Sequence, residues 1–168
     1  LIWTDTSLYG QTYTGKPYIF TFTLLAEDTT VMGQNSAIDV DGTVFWIGKD
    51  NFYVYNGQVQ ILNAPIRRHV FDNINTDHIT KCFVGVNKKF QEVWFFYPRG
   101  EETEPSHYAA YYYGAPQKNI WHIGALDRTC WQDAEKFVNT PIAYSDSGNY
   151  YDHETGHNDG SSAMNPSL

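Results

Sequence analysis

Charge is scarce in this chain and basic charge scarcer: only 18% of the 168 residues are Lys, Arg, Asp or Glu, and 11 basic residues face 19 acidic ones. The formal net charge of −8 removes the electrostatic footprint of a general DNA, RNA or anionic-membrane binder, which needs clustered cations to displace counterions. The basic residues come in ones and twos, and Arg67-Arg68 and Lys88-Lys89 read as solvated turns rather than nucleic-acid patches. Cysteine is rarer still. Cys82 and Cys130 are too few for a disulfide scaffold or a thiolate zinc site, so two buried free thiols are expected, with a single disulfide as the alternative. No apolar run approaches the roughly 18 to 20 residues of a membrane helix, and no membrane span is expected. There is no Gly-rich phosphate loop, no G-x-S-x-G elbow, and no nucleophile set beside a base at diagnostic spacing.

One catalytic motif is spelled out: His153-Glu154-Thr155-Gly156-His157 matches the H-E-x-x-H of zinc proteases. The chemistry requires a helix, because a four-residue offset aligns two imidazoles only there, with the Glu placed to take a proton from the metal-bound water. Ser145 to Asp152 before the motif and Asn158 to Ser162 after it are dense in turn formers and carry no apolar stripe at helical spacing. The pattern runs on to Gly160, but Ala163 stands where a third histidine ligand belongs, and only Asp159 follows as a possible ligand. A zinc hydrolase built on His153, Glu154 and His157 is therefore the minor reading, and a polar turn is expected; no catalytic, cofactor or metal residue is assigned.

Aromatic residues are abundant, with 13 Tyr and 10 Phe among 17% aromatics, and they favour strands. Phe45-Trp46-Ile47-Gly48-Lys49-Asp50-Asn51-Phe52-Tyr53-Val54-Tyr55-Asn56-Gly57 is two aromatic strands joined by a polar turn and closed by an Asn-Gly hairpin cue. Gln58 to Leu62 alternates as a further strand, and Ala37 to Gly42 supplies a preceding strand with an Asp-Gly turn. A second meander of four strands is read from Cys82-Phe83-Val84-Gly85-Val86, Val93 to Tyr97, His107 to Tyr113, and Ile120 to Ile123. Ile2 to Gly10 and Ile142 to Tyr150 repeat the strand, Asp turn and aromatic return.

Units of about four short strands recurring every ~40 to 50 residues are the sequence form of propeller blades. The expected fold is all-β: a propeller-like meander with about three blades present, approximately over 1–35, 36–64, 80–125 and 140–157, and one short helical linker. A β-sandwich is the alternative. The linker is expected over Pro65 to Asn75, where Ile66, Val70, Phe71 and Ile74 recur at helical spacing behind a first-turn proline. The loop Arg99 to Pro105 is read as a solvated tip. The first residues read as a strand and the last dozen as a polar trail, so the chain is expected to be a central fragment of a longer one.

Three constellations carry a possible site. Tyr111, Tyr112 and Tyr113 with Trp94 and Trp121 could present flat rings to sugars, although alternation assigns every second ring to a core. Asp39, Asp41 and Asp50 suggest calcium but lack the sixth-position Gly and closing Glu of a calcium loop. His78, His107 and His122 share no spacing.

The order of Ile2-Trp3-Thr4-Asp5 through Leu8-Tyr9, Phe20 to Leu25, Val40-Asp41-Gly42, Phe45-Trp46-Ile47-Gly48, Phe52 to Gly57, Val70 to Asn75, Val93 to Pro98 and His153-Glu154-Thr155-Gly156 resembles the central part of large virion proteins of short-tailed bacteriophages, similar in role to propeller-bearing tail nozzle or hub proteins. The resemblance implies a non-enzymatic virion component without a cofactor. Copies of the chain, six by expectation, would form a ring in the tail, contacting portal, adaptor and tail-fibre proteins while DNA passes through the lumen without sequence-specific binding. In that family the H-E-T-G run lies at a blade turn. A propeller lectin or receptor-binding module recognising host glycans is the alternative function.

Overall fold

The computed structural model describes residues 1–127 together with Cys130 and Trp131, so the His153, Glu154 and His157 motif and the 140–157 repeat lie outside the described residues. Strands dominate. β1 (Ile2–Trp3), β2 (Ser7–Tyr13) and β3 (Phe20–Glu27) form one antiparallel sheet. β4 (Ala37–Val40), β5 (Thr43–Ile47), β6 (Phe52–Tyr55) and β7 (Val59–Ile61) form a second, and β8 (Phe83–Asn87), β9 (Glu92–Tyr97), β10 (His107–Tyr112) and β11 (Trp121–Ala125) a third. The second and third are simple up-and-down meanders, each strand pairing with its sequence neighbour. Among the described residues the three sheets do not close on one another.

Turn chemistry sets the second sheet. Asp41 and Gly42 both have positive φ, +51° and +87°, as a two-residue type I′ hairpin requires, and Asp39 Oδ1 holds the turn by accepting from the Gly42 N–H at 2.8 Å. The register that follows, Phe45 opposite Val54 and Trp46 opposite Tyr53, separates the side chains into two apolar faces. Phe45, Ile47, Phe52 and Val54 face the third sheet, where they meet Val84, Val86, Val93, Phe95, Tyr97, Ala109 and Tyr111. Trp46 and Tyr53 face the first sheet and enclose Leu8, with Trp3 and Leu25 packed around them.

Phe52 is the hub of the larger core, its ring 4.8 Å from Phe95, 4.9 Å from Trp121 and 5.1 Å from Phe71. On the other face Trp46 stacks on Tyr53 at 5.3 Å and meets Trp3 edge-on at 5.7 Å. The indole N–H groups of both Trp3 and Trp46 are buried without a partner. Each orphan donor costs about 1–3 kcal/mol. Removing about 200 Å² of indole from water contributes about 5 kcal/mol at most, so ring burial outweighs the lost hydrogen bonds.

The second and third sheets are also joined by polar contacts: the buried Ser36 hydroxyl donates to the Cys82 carbonyl at 2.7 Å, and the Val84 N–H donates to the Asn35 carbonyl at 2.8 Å. The connector between them holds α1 (Arg67–Phe71), shorter than the Pro65 to Asn75 span expected, and then a 3₁₀ segment over Thr76–Lys81 capped by the Asn75 side chain. Arg67 fixes the start of α1 by donating to the Asp50 carbonyl and to Asn51 Oδ1, both at 2.7 Å. The loop after β9 is solvent-exposed over residues 100–104, as expected, but it is anchored to the connector. The Asn75 N–H donates to the Pro98 carbonyl, Gly100 N–H to the Asn73 carbonyl, and Asn75 Nδ2 to the Glu102 carbonyl, while Lys81 pairs with Glu104 and both Pro105 and Ser106 are buried. No described helix is long and apolar enough to cross a membrane.

Packing this dense at Phe52 predicts an uneven mutational response. Phe52→Ala is expected to cost about 3–5 kcal/mol in urea unfolding, whereas Phe22→Ala, at a side chain 58% exposed on β3, shifts stability by no more than about 0.5 kcal/mol. Comparable losses at the two positions would refute this division of the core.

Candidate functional site

Strand alternation divides the aromatic residues singled out in the sequence. Tyr111 and Trp121 belong to the inner face of the third sheet, with ring centroids 4.8 Å apart. Trp94, opposite Ala110, lies on the outer face, and Tyr112 points the same way. The five rings therefore do not form one platform.

The outer face has its own aromatic order. Trp94 stacks on Tyr108 at 4.3 Å and on Trp131 at 5.4 Å, and Phe83 stacks on Phe96 at 4.6 Å. Two glycines make room for the rings: a Cβ at Gly85 would sit 2.5 Å from the Trp131 indole, and one at Gly124 would sit 2.7 Å from the Tyr108 hydroxyl. The Trp131 indole N–H donates to the Val86 carbonyl at 2.8 Å. Glu92 ties the polar margin, accepting from Trp94 Nε1 at 3.0 Å and lying 3.1 Å from His122 Nε2. The other histidines are elsewhere: His107 Nδ1 is 2.9 Å from the Ser106 hydroxyl, and His78 belongs to the 3₁₀ segment.

The aspartates do not assemble either. Asp39 caps its own turn, Asp41 Oδ1 lies 3.3 Å from Lys88 Nζ, and Asp50 uses its carbonyl to hold Arg67. Among the described residues no three His, Cys, Asp or Glu side chains come close enough to hold a metal ion.

Sequence reasoning missed a cleft of about 610 Å³ between the second and third sheets, at the end where their turns gather. Buried Val40, Phe45, Val54 and Tyr111 line its inner part. Asn56, Gln60, Asn63 and Gln117 line it from the β6–β7 turn, β7, the segment after β7, and a 3₁₀ turn over Pro116–Lys118. Behind the lining, the Trp121 indole N–H holds two of its residues by donating to the Asn63 carbonyl at 3.0 Å and to Asn119 Oδ1 at 3.1 Å. The only advance signal was compositional: amide residues concentrated at turns that the meander places at one end.

Both cysteines are free, but only Cys82 is buried; Cys130 is exposed, contrary to the expectation for that residue. Burial pushes the Cys82 thiol up to about 12, against the opposing pull of a backbone hydrogen bond. Burial likewise raises the phenols of Tyr111 and of Tyr97, the latter partly offset by the positive charge of Arg99. No protein-family model matches the chain, and no curated protein matches it.

Two measurements test these environments. A thiol-specific disulfide reagent is expected to label Cys130 in the native protein and Cys82 only after unfolding; rapid native labelling of both would contradict the burial of Cys82. Between about pH 9 and 12 the unfolded chain releases the Cys82 proton while the folded chain keeps it. Stability is therefore expected to fall with pH across that window, by at most about 1.4 kcal/mol per pH unit for this group, and to be insensitive to it below. Urea midpoints on either side of about pH 9 read the slope, and Cys82→Ala removes this group's share of it.

Proposed function

We propose that this chain is a structural, non-enzymatic part of a bacteriophage short tail, a nozzle or hub element whose sheets serve as blades of a propeller. The reading rests on the resemblance carried by Ile2-Trp3-Thr4-Asp5, Phe45-Trp46-Ile47-Gly48, Phe52 to Gly57 and Val93 to Pro98. The observation that favours it most is the β4–β7 meander, covered on one face by the first sheet and on the other by the third. A sheet apolar on both sides is the unit from which a propeller is stacked, since no blade can bury both faces alone.

In this reading the work is mechanical. Stacked meanders make a stiff wall, because the second and third sheets are held by several interlocked rings around Phe52 rather than by one hinge-like contact. Copies of the chain form a ring around the tail axis, six by the resemblance, meeting portal, adaptor and fibre proteins through their loops. The net charge of −8 supplies repulsion toward DNA phosphates, so that a duplex passes the lumen without adhering.

Cryo-electron microscopy of the particle that carries this polypeptide tests the proposal. A ring of copies on the tail axis below the portal is the expected result. Copies confined to fibre-like peripheral positions would replace it with receptor binding, and absence from the particle would end it.

A further inference from the structure

We infer that the cleft between the second and third sheets is a binding site for a short neutral oligosaccharide. The inference does not depend on where the protein sits in a virion. It starts from an unevenness in packing: around Phe52, Phe95 and Trp121 the two sheets interlock, yet at their turn-bearing end the same interface stands open by about 610 Å³. That volume lies within the range of small-molecule sites, about 300–1,000 Å³.

The second observation is Tyr111. It is only 4% exposed, it lines the cleft, and its hydroxyl makes no hydrogen bond to any described residue. The Tyr111 hydroxyl is not among the buried unpartnered atoms, so with no described residue bonding it, it reaches the open space of the cleft, where a ligand hydroxyl can exchange for water. The exposed amides of Asn56, Gln60 and Gln117 line the same space from three separate segments. Each amide offers both donor and acceptor, as a vicinal diol demands of its site.

Charge narrows the ligand class. Asp41 is the sole ionisable carboxylate or amine among the lining residues, and it is engaged by Lys88. The lining therefore offers no cation for a phosphate, sulfate or uronate. Phe45 and Tyr113, with ring centroids 6.0 Å apart, supply apolar surface for the C–H faces of a sugar, with polar groups around it. A neutral di- or trisaccharide satisfies the size, the hydrogen-bonding pattern and the charge together.

Nuclear magnetic resonance of the full chain, titrated separately with maltotriose and triacetylchitotriose, tests the site. The side-chain amides of Gln60 and Gln117, which line the cleft, and the Trp121 indole N–H, which bonds the lining residues Asn63 and Asn119, are expected to shift saturably with at least one sugar. Tyr111→Phe keeps the ring in the core and is expected to weaken binding about tenfold; Gln117→Ala, at an exposed turn, is expected to weaken it without affecting folding. The inference is overturned if neither sugar moves these signals, if the shifts persist unchanged in both variants, or if an extended peptide pairing with the edge strand β7 produces the shifts and the sugars do not.

Discussion

The second sheet has no polar face, and the architecture follows from that constraint. Its register places Phe45, Ile47, Phe52 and Val54 on one side and Trp46 and Tyr53 on the other. An antiparallel sheet can ordinarily leave one side to solvent, but this one must be covered twice. The first and third sheets are the covers. Ser36 and Asn35 then help set how the third lies against the second, because their bonds to Cys82 and Val84 fix the start of β8. Hydrophobic burial supplies the drive and two hydrogen bonds supply the position.

Much of this was readable in the sequence because the turns are chemically explicit. Asp41-Gly42 and Asn56-Gly57 mark hairpins, and between them the spacing leaves room only for short strands. The helical spacing of Ile66, Val70, Phe71 and Ile74 located the connector, although tertiary contacts end α1 at Phe71 and hand the chain to a 3₁₀ segment. What could not be read was the assignment of faces. Alternation says that Trp94 and Trp121 differ in orientation from some of their neighbours, but which parity points inward depends on the partner sheet. The cleft was illegible for a related reason: its residues come from turns far apart in sequence, and only the stacking of two meanders brings Asn56, Gln60 and Gln117 to one place. Arg99 to Pro105 was legible as a largely solvated loop, but its anchoring was not, because backbone bonds to Asn73 and Asn75 leave no mark on composition.

The stack ends differently on its two sides. On the third sheet, Gly85 and Gly124 let rings lie flat, so Trp131 and Tyr108 cover backbone that would otherwise be bare, and the outer face is closed by its own aromatics. The first sheet is open. Its long β2–β3 hairpin carries threonines on one face, with Thr12 opposite Thr21, and Tyr9, Tyr13, Phe20, Phe22 and Leu24 on the other. Half of the exposed large hydrophobic residues of the described chain fall between Tyr13 and Leu24. A soluble domain seldom shows such a stripe on an edge strand without a use for it, because a free β edge beside an apolar face invites pairing.

Stacking also explains why a binding cleft and a rigid wall can share one interface. Two twisted sheets that pack tightly at their centres diverge toward their ends, since each strand rotates relative to the next. Where the divergence begins, side chains from both inner faces lose their partners; Phe45, Val54 and Tyr111 sit at that boundary, buried by the core yet facing the gap. The Tyr111 ring is buried with the other two, while its hydroxyl, which is not among the buried unpartnered atoms, is left toward the gap. A hydroxyl held at the mouth of an apolar interface, with no described residue bonding it, marks the gap as a place where the fold leaves a hydrogen bond to be made from outside.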